Sequence, residues 1–80
     1  MNDKTILDHI QDLVTEEDGL REMASGGALN AEGHARLGAI QVDLDQCWDL
    51  LRQRRARREF GLDPDDAEVR DSSTVERYEQ

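Results

Sequence analysis

The hexapeptide SGGALN, residues 25–30, interrupts a sequence that otherwise reads as continuous helix. Pro64 is the only proline, so nothing before it breaks a helix as firmly as Gly26 and Gly27 do. On either side of the glycines, apolar residues recur at helical spacing. Ile6, Ile10, Leu13 and Leu20 mark one stripe, widened by Leu7, Val14 and Met23; Leu37, Ile40, Leu44, Cys47 and Leu51 mark the other, flanked by Trp48 and Leu50. Two long helices joined by so short a link fold back antiparallel. The spacing predicts an all-α chain whose residues 1–61 form a coiled-coil-like hairpin. Its first helix runs from about Lys4 to Ala24, its turn covers residues 25–30, and its second helix runs from about Ala31 to Phe60.

End signals support these limits. Asn2, Asp3 or Thr5 can cap the first helix, and Thr5 with Asp8 has the spacing of a capping box. Asn30 is placed to cap the second helix, and Gly61 to stop it. Gly19 is the weak point of the first helix, since glycine costs about 1 kcal/mol against alanine there. Folding about the glycines sets Leu13 opposite Val42 and Ile6 opposite Asp49. Beyond Gly61, residues 62–80 are acidic and poor in apolar groups. Asp63, Pro64 and Asp66 can start a short helix there, and Ser73 with Glu76 another that carries Val75 and Tyr78. The expectation is an acidic tail that packs back on the hairpin or waits for a partner.

Two helices cannot enclose a core, and an 80-residue chain has little surface to bury on its own. The usual remedies are disulfides, a metal or oligomerisation. Cys47 is the only cysteine, which excludes an intrachain disulfide, and one cysteine with His9 and His34 is thin material for zinc. That leaves oligomerisation. The expected closure is a homodimeric four-helix bundle, with a dimer or partner seam of Ile6, Ile10, Leu13, Val14, Leu37, Ile40, Leu44, Cys47, Trp48 and Leu51.

Charge narrows the class of partner. The formal net charge is −9, yet Arg52, Arg54, Arg55, Arg57 and Arg58 supply five of the ten Lys and Arg residues. At about 100° per residue these arginines go almost all round a helix, so some face solvent or a partner. They form a candidate partner-binding tip, with Asp3 and Asp8 at the same end and the acidic tail close enough to shield it. An acidic body repels phosphate backbones and anionic membranes. Any DNA or ribosomal RNA association would be weak, phosphate-driven and steeply dependent on salt. No apolar run approaches the roughly 20 residues of a membrane span. The start, MNDKTILDHI, lacks a basic n-region, so a cytoplasmic protein is expected.

Catalytic and cofactor signals are weak. His9 and His34 lie on different helices near opposite ends of the hairpin and read as solvated. Cys47 reads as a small seam hydrophobe whose thiol pKa Asp45 and Asp49 raise. DPDD lacks the glycine and glutamate of a helix–loop–helix calcium site. Paired carboxylates such as Asp43 with Asp45 need a cleft for acid–base work, and a two-helix hairpin is expected to offer none. The reading is therefore no enzyme, no metal and no cofactor.

Together, an ILDHIQDLVTEE first helix, the GG turn, the DQCWDLLRQRRARR block, DPDDAEVR and a closing VERYEQ resemble the small actinobacterial proteins grouped as domain-of-unknown-function family 2630. The resemblance covers nearly the whole chain. Where relatives are more charged, this chain has NAEGHARLGA, so Gly33 and Gly38 loosen the start of the second helix. The resemblance implies a small helical protein and carries over no catalytic residues. The functional expectation is a non-enzymatic interaction or adaptor protein, homodimerising through the seam and presenting the arginine tip. The alternative is weak nucleic-acid association through that tip.

Overall fold

The computed structural model describes residues 2–71, so the helix expected from Ser73 lies outside the described residues. Two helices, α1 (Asp3–Ser25) and α2 (Ala31–Glu59), pack against each other, followed by a single 3₁₀ turn at Pro64–Asp66. No strand occurs among the described residues.

Each boundary has a local cause. Asn2 caps α1: its Oδ1 accepts from the Thr5 backbone N–H at 2.8 Å and from the Thr5 hydroxyl at 2.9 Å. Thr5 therefore serves inside the first turn rather than as the cap, and Asp8 pairs with Lys4 at 2.9 Å. Asn30 caps α2 by accepting from the Gly33 N–H at 2.8 Å. Both helices end alike, on a glycine at positive φ: 74° at Gly27 and 72° at Gly61. The Ala28 N–H reaches back to the Met23 carbonyl and the Leu62 N–H to that of Arg57, satisfying carbonyls the helix leaves open.

The core is one thin seam. Ile6, Ile10, Leu13, Ile40, Cys47 and Leu50 are buried, with Leu20, Leu44, Leu51 and Ala67 packed against them. Val42, expected opposite Leu13, is exposed instead, and Ile40 sits in the cluster with Leu13. The molecule measures 50 × 25 × 16 Å. Its thinnest dimension is little more than the ~10–12 Å diameter of one helix, so the hairpin is a single layer.

The glycines of α2 play different parts. A Cβ at Gly33 would lie 2.2 Å from the Leu29 Cδ1 and 2.8 Å from its Cγ, because Leu29 folds over the first turn. Gly33 is thus a close approach that lets Leu29 cover the start of the helix. Around Gly38 and Gly19 the space is open. Gly19→Ala and Gly38→Ala should each stabilise the fold by about 0.5–1 kcal/mol, or several degrees in Tm for a chain this small. Gly33→Ala should give no such gain, because Leu29 must move. Thermal unfolding followed by circular dichroism checks all three.

Candidate functional site

Asp49 lies on α2 far round from the apolar seam, where helical spacing alone would expose it. It is fully buried, with 0% exposure. After the 3₁₀ turn the chain runs back along this flank and brings Arg70 onto the carboxylate. Arg70 Nε donates to Asp49 Oδ2 at 2.8 Å and its Nη2 donates to Oδ1, a two-pronged pair. Gln53 Nε2 adds a third bond to Oδ2 at 3.0 Å and also donates to the Glu68 carbonyl. Gln46 donates to the Arg70 carbonyl at 3.2 Å. Hydrogen bonds from Arg70 hold the Asp49 carboxyl below its ordinary pKa of 3.8, against the opposing effect of burial, with Gln53 adding in the same direction.

The second cluster joins the N-terminus to the arginine run. Arg54 is buried, 6% exposed. Its Nε donates to Asp3 Oδ1 at 2.6 Å, and its Nη1 to Asp65 Oδ1 at 2.9 Å and the Pro64 carbonyl at 3.1 Å. Arg58 meets the same Asp3 at 2.8 Å. Bonds from Arg54 and then Arg58 lower the Asp3 pKa. Of the remaining arginines, Arg55 pairs with Glu59 at 3.1 Å and Arg52 stands 3.8 Å from Asp49. Arg57 makes no ion pair among the described residues. Arg54 and Arg58 are thus tied to other segments of the chain, whereas Arg52 and Arg55 pair only within α2 and stay largely exposed.

The candidate seam residues separate into layers. Ile6, Ile10, Leu13, Ile40 and Cys47 lie inside the hairpin, and Leu37, Leu44 and Leu51 are half-buried. Val14 (38% exposed) and Trp48 (45%) face outward, as does Leu7 (47%). At ~100° per residue, Gln46, Asp49 and Gln53 occupy one flank of α2, while Leu37, Leu44, Trp48 and Leu51 occupy the other. Leu7 and Val14 project from α1 on that second side. Residues 68–70 cover the first side only.

The covered side also holds a hollow of about 350 Å³, lined by Thr5, Ile6, His9, Asp43, Gln46, Cys47, Leu50 and Val69. This corrects the expectation that a two-helix hairpin has no cleft: Val69 of the returning segment supplies a third wall. His9 Nε2 lies 3.3 Å from Asp43 Oδ2, and the Cys47 thiol donates to Asp43 Oδ1 at 3.6 Å. His34 sits in the first turns of α2, about 13 Å along the helix from Asp43. Burial, then the Asp43 charge and hydrogen bond, push the Cys47 thiol up to about 11. The direction matches expectation, but the responsible carboxylate is Asp43, one turn away, rather than Asp45 or Asp49.

Residues 2–80 match the family described as a protein of unknown function (DUF2630). The chain belongs to the DUF2630 family. It is 51% identical over 77 residues to the uncharacterized proteins Mb0922c of Mycobacterium bovis and Rv0898c of Mycobacterium tuberculosis, covering 95% of this chain and 88% of each relative. No solved structure matches it. No activity is assigned to the family or to these relatives. No helix among the described residues is long and apolar enough to cross a membrane.

Sequence reasoning about this DUF2630 protein missed Asp49, Arg70 and the His9–Asp43–Cys47 group. The only signal for the first pair was an acid and a base in the DQCW block and the DAEVR segment. For the second, Asp43 and Cys47 are visibly one helical turn apart.

Two expectations follow from the ion pairs. Arg70→Met leaves a buried carboxylate unpaired and should cost about 3 kcal/mol; adding Asp49→Leu should recover much of that loss in a urea-denaturation double-mutant cycle. Both Asp49 and Asp3 have folded pKa values below the unfolded value. Their stabilisation is complete above the unfolded carboxylate pKa of about 3.9 and is lost as pH falls through the folded values. The urea midpoint should therefore drop as pH is lowered below about 4, less steeply in Asp49→Asn.

Proposed function

We propose that this DUF2630 protein is a non-enzymatic interaction module that pairs with a second copy of itself. The interface is the side of the hairpin opposite residues 68–70, built from Leu7, Val14, Leu37, Leu44, Trp48 and Leu51. One observation carries the reading: the hairpin is a single layer, covered on one side by its own chain and left apolar on the other. Completing the burial of half-exposed leucine and tryptophan side chains adds about 1 kcal/mol each. Stacking two such layers gives an antiparallel four-helix bundle.

A second copy fits this face better than an unrelated protein does. The stripe repeats at heptad spacing along α2 through Leu37, Leu44 and Leu51, so an antiparallel copy presents the same ridge to it. In the pair, Arg52, Arg55 and Arg57 of each copy, which make no ion pair to another segment among the described residues, stand at the helix ends as a surface for an acidic protein partner. Nucleic-acid association is less well supported, because Arg54 and Arg58 are engaged with Asp3 and the chain carries −9 overall.

Sedimentation equilibrium at micromolar concentration should give twice the 9.1 kDa chain mass. Trp48→Glu, placed at an exposed position, should yield a folded monomer. A wild-type monomer with native helicity would overturn the dimer. In the same preparation, DNA and RNA should show no binding at physiological salt.

A further inference from the structure

We propose that His9, Asp43 and Cys47 form a binding site for a zinc-class divalent cation whose open coordination position faces the hollow beside residues 67–71. The site stands apart from the dimer face, on the opposite side of the hairpin.

The argument begins with the donor set. Imidazole, thiolate and carboxylate are all zinc ligands, and the thiolate disfavours magnesium and calcium. Their placement is equally specific. Asp43 and Cys47 are one turn apart on α2, so both side chains leave the same helix face. His9 reaches them from α1. The three donor atoms lie within 4.8 Å of one another.

Distances decide whether one ion can be shared. Zinc bonds of roughly 2.0–2.3 Å at tetrahedral angles separate neighbouring donors by about 3.3–3.7 Å. His9 Nε2 and Asp43 Oδ2 stand 3.3 Å apart, and Cys47 Sγ and Asp43 Oδ1 3.6 Å. Each spacing has the required length, but the two involve different oxygens of one carboxylate, so Asp43 must turn slightly to offer a single oxygen to the ion. All three donor atoms already lie within 4.8 Å of one another, so reaching the tetrahedral spacing takes movements of about an ångström, within the reach of a half-exposed histidine and carboxylate. On binding, the Cys47 proton that now points at Asp43 leaves to solvent and the metal takes its place between them.

Three protein ligands leave a fourth position free. All three residues line the hollow, whose other walls include Ile6, Leu50 and Val69. A water, or a small ligand with an apolar body and one donor atom, fits there. The ion would also link α1 to α2 across the open end of the hairpin.

The test uses the untagged full chain, reduced with a non-thiol reductant at neutral pH, and titrates it with Co²⁺ and Zn²⁺. One equivalent of Co²⁺ should produce a thiolate-to-cobalt charge-transfer band and the intense visible bands of four-coordinate cobalt, and Zn²⁺ should displace it. His9→Gln, which alters an exposed side chain, should lower Zn²⁺ affinity at least tenfold by calorimetry, while His34→Gln leaves it unchanged. Cys47→Ala should remove the charge-transfer band. Absence of the band at several equivalents of Co²⁺, or affinity indifferent to His9→Gln with helicity intact, would overturn the site.

Discussion

Asp49 has no exposure to solvent, and a carboxylate so placed destabilises a fold by several kcal/mol unless its charge is met in full. The α-helix supplies no partner deep enough. Arg52, a turn further on, stands 3.8 Å away and is itself half-exposed. The charge is met by Arg70, 21 positions along the chain, with Gln53 closing the remaining acceptor site. Everything between residues 60 and 70 is arranged to make that return. The Gly61 turn reverses the chain, Asp63 and Pro64 nucleate a 3₁₀ turn, and Gln46 and Gln53 hold the backbone carbonyls of Arg70 and Glu68. Burial of Asp49 and ordering of the returning segment are thus one event.

The same economy governs the open end of the hairpin. Asp3, in the first turn of α1, suits the positive end of that helix, and it also receives Arg54 and Arg58 from the last turns of α2. Asp65 adds a contact from the 3₁₀ turn. Three segments therefore meet at one guanidinium, Arg54. An arginine suits this role because its planar fork satisfies several acceptors at once. The cationic run is consequently less a uniform patch than a joint, with Arg52 and Arg55 exposed around it.

What was legible in the sequence follows the physics of local pattern. Ile6, Ile10 and Leu13 recur at helical spacing, and the glycine pair and Asn30 punctuate the chain by conformational rules that act over a few residues. Asp49 was illegible for the opposite reason. On a helix it sits far round from the seam, and its burial depends on a segment with no periodic pattern of its own. Leu50 is a milder case: it read as a flank, yet it is buried and shares a wall of the hollow with Val69. The His9 group lay within reach. The register that sets Ile6 opposite Asp49 places His9 opposite Gln46, less than a turn from both Asp43 and Cys47. His9 and His34 stand far apart, so the mixed donor set emerges only when His9 is paired with the facing turn of α2.

The two sides of the hairpin have separate physical tasks because only one of them is covered. The returning segment covers the flank that carries Asp49, and its Val69 lines the hollow beside His9, Asp43 and Cys47. The opposite flank keeps Leu7, Val14 and Trp48 in contact with water. Polar chemistry needs a desolvated, preorganised pocket, whereas association needs unsatisfied apolar area. A single-layer hairpin has too little interior to combine both on one face. Segregation leaves the apolar face clear of the ionic latch and the donor cluster on the other side.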